Sequence, residues 1–384
     1  MSKAFWTVFF LVGLLQACRT PFDPEVASQA SDFLVVEGYL DSEGKASKLK
    51  LSRSAPLDAE GPFVAETGAT VTLNSASGES YLLDEVEDGS YLFEANVSEE
   101  QSYYLEIVLR NGERYRSTEM RPIVTPDIID ADFLLDEEGV EVFITTQGDQ
   151  FADDFLWTYD ETWIYRPRIR VPYIYDAAIG NVRDRREGEH IDLCFKNEES
   201  PDILLETSSR FEEQVVFRQT ITEIPRGDER IMERYSILIS QKALEEDAVK
   251  FWEILKKNTE DIGSIFSPLP SLIGGNIFSV DGLDRPVVGQ VSLGVVRQKR
   301  LYIDLVDVSP WNYLDPEFND CVVEQEPVLS RFYDPVFVSG GVLPARAHIP
   351  EGGTMVIGYF PTSRRCGDCT LYASPIKPDF WEDE

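Results

Sequence analysis

The chain has 384 residues, with 35 Lys+Arg against 69 Asp+Glu and a formal net charge of −34. That balance excludes ordinary nucleic-acid binding and electrostatic adhesion to anionic lipid, both of which ask for a basic surface. An apolar fraction of 43% is that of a globular protein. Two histidines, His190 and His348, exclude multi-histidine metal sites.

Residues 1–17 place Lys3 ahead of an apolar run from Phe5 to Leu15. The run is too short to span a bilayer as a helix and has the length of a secretory signal core. It closes on Leu15-Gln16-Ala17-Cys18, which puts a leucine, a small residue and a cysteine in the register of a bacterial lipobox. The mature protein is therefore expected to begin at Cys18 with lipid on its thiol, and more than one acyl chain suffices for stable anchoring. Residues 18–32 are polar, carry Pro21 and Pro24, and read as a lipidated tether.

Between residues 33 and 125 the sequence alternates in short segments: Phe33–Leu40, Lys48–Ser52, Ala69–Leu73, Tyr81–Leu83, Tyr91–Ala95, Tyr103–Leu109 and Tyr115–Ser117. Turn signals separate them, and Asn111-Gly112 marks a hairpin. This spacing predicts an immunoglobulin-like β-sandwich over 33–125, ending near Pro122 and Pro126. Residues 126–384 are expected to form a larger, mostly antiparallel β domain. Its strands are Asp130–Leu135, Glu141–Thr146, Phe155–Tyr165, Val215–Ile221, Tyr235–Ser240, Val287–Val296, Leu301–Val306, Pro335–Val338 and Met355–Phe360. One helix over 241–258 is read from Leu244, Ala248, Phe251, Trp252 and Leu255, with Ser240 as its N-cap and Gly263 at its end.

Cys194, Cys321, Cys366 and Cys369 remain after Cys18. In an oxidising compartment an even number predicts two disulfides, joining the Cys366-Gly367-Asp368-Cys369 loop to Cys194 and Cys321 with the connectivity open. Half a zinc site and a redox motif are weaker readings of the same spacing. Phe155, Trp157 and Tyr159 share one strand face. With Trp163, Tyr165, Arg166, Arg168 and Arg170 they form a candidate ligand or partner surface, set against core packing and ion pairing with the surplus carboxylates. Tyr173, Tyr175, Arg183, Arg185 and Arg186 extend the pattern.

Catalytic signals are sparse. There is no G-x-S-x-G elbow, His348 has no local acid, and His190 has acidic neighbours without a second ligand. Carboxylate pairs are too common in so acidic a chain to identify a glycosidase. Calcium is the natural ion for Asp149, Asp153 and Asp154, or for Asp281 and Asp284, although neither set forms an EF-hand loop. No cofactor and no catalytic or metal residue is assigned, and a non-enzymatic role is expected.

Several runs, taken in order, carry a resemblance: Val35-Val36-Glu37-Gly38, Arg234-Tyr235-Ser236, Phe251-Trp252, Ser264-Ile265-Phe266-Ser267-Pro268, Gly275-Asn276-Ile277, Pro286-Val287-Val288-Gly289, Lys299-Arg300-Leu301-Tyr302-Ile303, Cys366-Gly367-Asp368-Cys369 and Lys377-Pro378-Asp379-Phe380-Trp381. Together they resemble the Bacteroidota envelope lipoproteins of domain-of-unknown-function family forty-two forty-nine. Thr370-Leu371-Tyr372-Ala373 departs from that family's more usual arginine and glycine pair. The resemblance implies an outer-membrane, lipid-anchored protein that serves a TonB-dependent receptor as an accessory or ligand-capture subunit, and it brings no catalytic residues. Asp23, Glu25 and Asp32 in the tether favour the outer surface over the periplasmic face. An envelope hydrolase acting on glycan or peptide, and an adhesion module, are the alternatives.

Overall fold

Apolar and polar residues alternate from Leu34 to Ser117, and the resulting strands form most of one long, curled sheet in the computed structural model. The structure describes residues 33–54, 64–260, 274–281, 287–313 and 316–382. The signal segment, Cys18, the tether, Gly263, Ser264 to Pro268, Asp284 and Pro286 lie outside the described residues. Strands Leu34–Asp41, Ser47–Arg53, Thr70–Ser75, Ser80–Glu87, Ser90–Phe93, Tyr103–Val108 and Arg114–Ser117 match the seven expected segments, with Val64–Ala65 added. Their inward residues, among them Leu34, Val36, Leu49, Val71, Tyr91 and Leu105, form one buried core. The Asn111-Gly112 hairpin is present, with Gly112 at φ +88°, where a side chain would be strained.

Two strands from much later in the chain complete this sheet. Ile277–Ser279 pairs with Arg114–Ser117 at one end, and Val287–Gly294 runs parallel to Leu34–Asp41 at the other. A bridge between Gly275 and Gly289 brings the two ends together, so the sheet nearly closes on itself. A Cβ on Gly275 would collide with the Gly289 carbonyl oxygen, and one on Gly289 with the Val36 carbonyl oxygen. Asn276 completes the closure by donating to the Val291 carbonyl at 2.8 Å and accepting from the Val291 N–H at 2.9 Å. The sequence reading placed Val287–Val296 in the second domain. Pairing register, which local periodicity does not encode, assigns residues 287–294 to the first sheet instead.

The second unit is a sandwich. Ile128–Leu135, Gly139–Gln147 and Val215–Pro225 form one sheet. The other is built on Asp154–Tyr165, flanked by Arg234–Ala243 on one side and by Cys194–Glu199 and Leu204–Thr207 on the other. Val296–Asp304 lies beyond Arg234–Ala243. Val142, Ile144, Phe155, Trp157, Ile237 and Ile239 fill the space between the sheets. The helix runs over Glu246–Glu260, not 241–258. Ser240 does not cap it: Ser240 to Ala243 continue a strand whose partners, Thr158 and Gln298, hold Ser240 in the sheet.

The C-terminal part gathers Tyr173–Asp176, Asn181–Asp184, Val342–His348 and Gly358–Ser363 around Tyr333, Phe337 and Tyr359. Pro335–Val338, expected as strand, falls in the short helix Tyr333–Phe337 and its C-cap, Val338. Pro335 sits in the first turn, where a missing N–H costs no helical hydrogen bond. Disulfides Cys194–Cys369 and Cys321–Cys366 tie this part to the second unit and to itself.

Candidate binding cleft

The contact between the first and second units is pinned by polar groups at its edge. Asp41 is buried; its carboxylate accepts from the N–H groups of Glu43 and Lys45 and, across the boundary, from Val296 N–H at 2.9 Å. Lys45 Nζ donates to the Val296 carbonyl at 2.8 Å, and the Tyr39 hydroxyl donates to the Ala243 carbonyl at 3.1 Å. Beside these contacts opens a cleft of about 490 Å³. Its floor is the outer face of the second unit's larger sheet, where Leu156, Thr158 and Asp160 alternate with the core residues Phe155, Trp157 and Tyr159. One wall is formed by Leu34–Asp41 and the start of Ser47–Arg53 in the first sheet, and the other holds residues 199–203 and Trp252.

Four lysines line this cleft in an otherwise acidic molecule. Three stand near carboxylates at the rim: Lys45 at 3.5 Å from Glu43, Lys48 at 3.3 Å from Glu87 and Lys50 at 3.7 Å from Glu199. The fourth, Lys242, rises from the floor and donates to Thr158 Oγ1 at 3.0 Å. It makes no ion pair among the described residues, and burial pushes its amine down to about 8, with Asp160 working in the opposite direction. Asp160 is itself held above the ordinary carboxylate range, first by desolvation and then by Glu199. Glu37, Asp41, Asp160, Glu199 and Asp202 line the same cleft, so the Lys242 amine beside the Thr158 hydroxyl is a donor pair suited to a polar ligand. It is also the geometry of a nucleophile and its base.

The sequence-derived surface is placed elsewhere. Trp157, Trp163 and Tyr165 are between 0% and 3% exposed, which corrects their reading as ligand contacts; Tyr159, 4% exposed, packs in the core and borders the cleft. Asp154–Tyr165 has strand neighbours on both sides and is covered on both faces along much of its length, so the aromatic stripe is core. Trp157 Nε1 donates to Gln241 Oε1 at 2.9 Å. Arg166 forms a two-pronged pair with Glu233 at 2.7 and 2.9 Å, and Arg170 meets Asp192 at 3.2 Å, while Arg168 is exposed. His190 lies 3.7 Å from Asp192, and His348 packs edge-on to Phe360. Asp149 accepts from Phe151 and Ala152 N–H groups in its own loop, and Asp281 accepts from Arg114 N–H. No group of three or more metal-binding side chains is gathered among the described residues. The cleft residues went unread because Lys242 fell in a segment taken for helix. The polar alternation of Thr158 and Asp160 was the available signal.

The mainly β fold, with its nearly closed first sheet and few helices, belongs with the sandwich proteins. The chain is a member of the family described as domain of unknown function DUF4249, which matches residues 19–300. The Cys366–Cys369 loop and the Lys377–Trp381 run lie beyond the matched range. No curated protein matches. Among solved structures, a two-domain fibronectin type III segment of chicken tenascin is 13% identical, covering 55% of this chain and 91% of that one with a TM-score of 0.16. CBD12 from CALX1.2 is 9% identical, covering 71% and 100% with a TM-score of 0.14.

Proposed function

We propose that this chain is an outer-membrane lipoprotein of a Bacteroidota envelope, anchored through Cys18, that presents its cleft to a ligand as an accessory subunit of a TonB-dependent receptor. The observation that carries the reading is the lipobox register of Leu15-Gln16-Ala17-Cys18 at the head of a chain of this family. The lysine-lined cleft supplies the capture site, and the acidic body stands off from an anionic membrane. Mild-detergent pull-down of the tagged protein from native outer membrane, with partners identified by mass spectrometry, tests it. A stoichiometric TonB-dependent receptor is expected, and a lone lipoprotein would overturn the partnership. Acyl labelling is expected for the natural chain and not for Cys18→Ser.

A second reading rests on the Thr158–Lys242 contact at 3.0 Å, which would serve an envelope hydrolase using the hydroxyl as nucleophile and the amine as base. It predicts turnover of a glycan or peptide substrate with an apparent pKa near that of Lys242, abolished in Thr158→Val. The capture reading predicts binding without turnover.

A further inference from the structure

Outside the cleft, a pocket of about 330 Å³ lies in the C-terminal part of the chain. Ile174, Tyr175, Phe337 and Leu343 give it apolar walls, and Arg185 and Arg364 bring two guanidinium groups to its lining. The two arginines differ in their partners. Arg364 Nε donates to Asp368 at 2.7 Å. The other Asp368 oxygen accepts from Thr370 N–H at 2.9 Å and from Thr370 Oγ1 at 2.5 Å, so this carboxylate is fully engaged. Arg185 has no carboxylate partner among the described residues. Its Nε donates to the Val171 carbonyl at 3.1 Å and its Nη1 to the Glu189 carbonyl at 2.9 Å.

An arginine has five N–H donors in a rigid fork; here Nε and Nη1 each meet a neutral carbonyl, and Nη2 has no acceptor among the described residues. The two carbonyls fix the guanidinium without neutralising it. Burial, the largest influence, pushes Arg185 below its ordinary range, against the pull of Asp368, Glu189 and Asp192. Carboxylates are abundant in this protein, and neighbouring arginines have found theirs: Arg183 pairs with Asp176 at 2.8 Å and Glu189 at 2.6 Å, and Arg166 with Glu233. A half-buried guanidinium left with carbonyls alone, held rigidly against an apolar pocket, is a preorganised half of a charge-assisted pair.

We propose that this pocket binds a small carboxylic acid with an apolar body, its carboxylate on Arg185 Nη2 and its tail against Ile174, Phe337 and Leu343. The volume falls within the range of small-ligand pockets, roughly 300–1,000 Å³. The site is separate from the lysine-lined cleft and does not depend on the reading of that cleft.

Calorimetric titration of the full-length protein with 4-phenylbutyrate, and with 4-phenylbutanol as its uncharged counterpart, tests the assignment. The acid is expected to bind at least about tenfold tighter than the alcohol, because only the acid completes the charged pair. Arg185→Gln is expected to remove that difference. Since Arg185 also holds two backbone carbonyls, Val338→Glu is the second variant: Val338 is 57% exposed at the pocket wall, so the fold survives while the new carboxylate repels the ligand. Equal binding of acid and alcohol, unchanged affinity in Val338→Glu with the fold intact, or no binding of the acid would each overturn the proposal. N-acetylphenylalanine binding tighter than 4-phenylbutyrate assigns the site to peptide C-termini, and the reverse order assigns it to free acids.

Discussion

Glu161 shows how much one buried charge depends on its company. It is 3% exposed, accepts from the Tyr235 hydroxyl at 2.5 Å and pairs with Arg230 at 3.0 Å. Removing Glu161 leaves the buried Tyr235 hydroxyl without its acceptor, while Arg230 keeps a two-pronged pair with Asp228 at 3.2 Å, so Glu161→Ala is expected to cost about 1–3 kcal/mol. Urea denaturation with an unchanged slope reads this directly. Glu161→Gln keeps an acceptor for Tyr235 and is expected to lose less. Lys242 is the opposite case, since its burial disfavours the charged amine. The folded amine is lowered to about 8 from 10.5, so the unfolded chain binds the proton more tightly. Lys242→Met is therefore expected to stabilise the fold by about 3 kcal/mol at pH 7. That advantage is constant below pH 8, shrinks between 8 and 10.5, and vanishes above. Paired denaturation curves at pH 7 and pH 10.5 check the sign; a natural protein that keeps this lysine keeps it for something other than stability.

At the scale of the element, closure of the first sheet rests on a few atoms. Gly289→Ala drives a methyl into the Val36 carbonyl and is expected to cost about 2–3 kcal/mol as an overpacking strain. Asn276→Ala strips the Val291 N–H of its acceptor and leaves the Val291 carbonyl with only a long contact from Gln290 Nε2 at 3.4 Å, and is expected to cost a similar amount, about 1–3 kcal/mol. Both losses appear as lower melting temperatures. The elements most legible in the sequence were those specified by local pattern: the seven early strands with their glycine turns, and Asp154–Tyr165. Ser240 and Pro335 misled because the same residues serve two purposes. A serine beside a helical apolar pattern reads as a cap until a sheet partner claims it, and a proline beside valine and phenylalanine reads as an edge strand until it occupies a first helical turn. The aromatic stripe was read with the correct period, but period alone does not say whether a strand is central or exposed. The cleft and the arginine pocket needed residues far apart in sequence, which no local signal joins.

For the whole molecule, the disulfides act over long loops. Cys194 and Cys369 are 175 positions apart, and Cys321 and Cys366 are 45 apart. In the chain-entropy account the longer link restricts the unfolded chain by about 5 kcal/mol. Cys194→Ser/Cys369→Ser is therefore expected to melt several degrees lower, and dithiothreitol is expected to lower the natural protein's melting temperature while leaving the variant less affected. The C-terminal part should respond most, because its strands are short and its core cluster is small.

The parallel strand Val287–Gly294 also sets an order of assembly. In a chain that emerges from its N-terminus, eight of the first sheet's ten strands are available once residue 117 is out. Leu34–Asp41 must nevertheless wait for residue 294, with its outer hydrogen-bonding edge open to any strand that arrives first. The segment beside the proposed anchor is thus the earliest to emerge and among the last to be sealed. A holdase chaperone would find its most valuable target there, and truncation of the chain after residue 125 would leave that edge permanently unprotected.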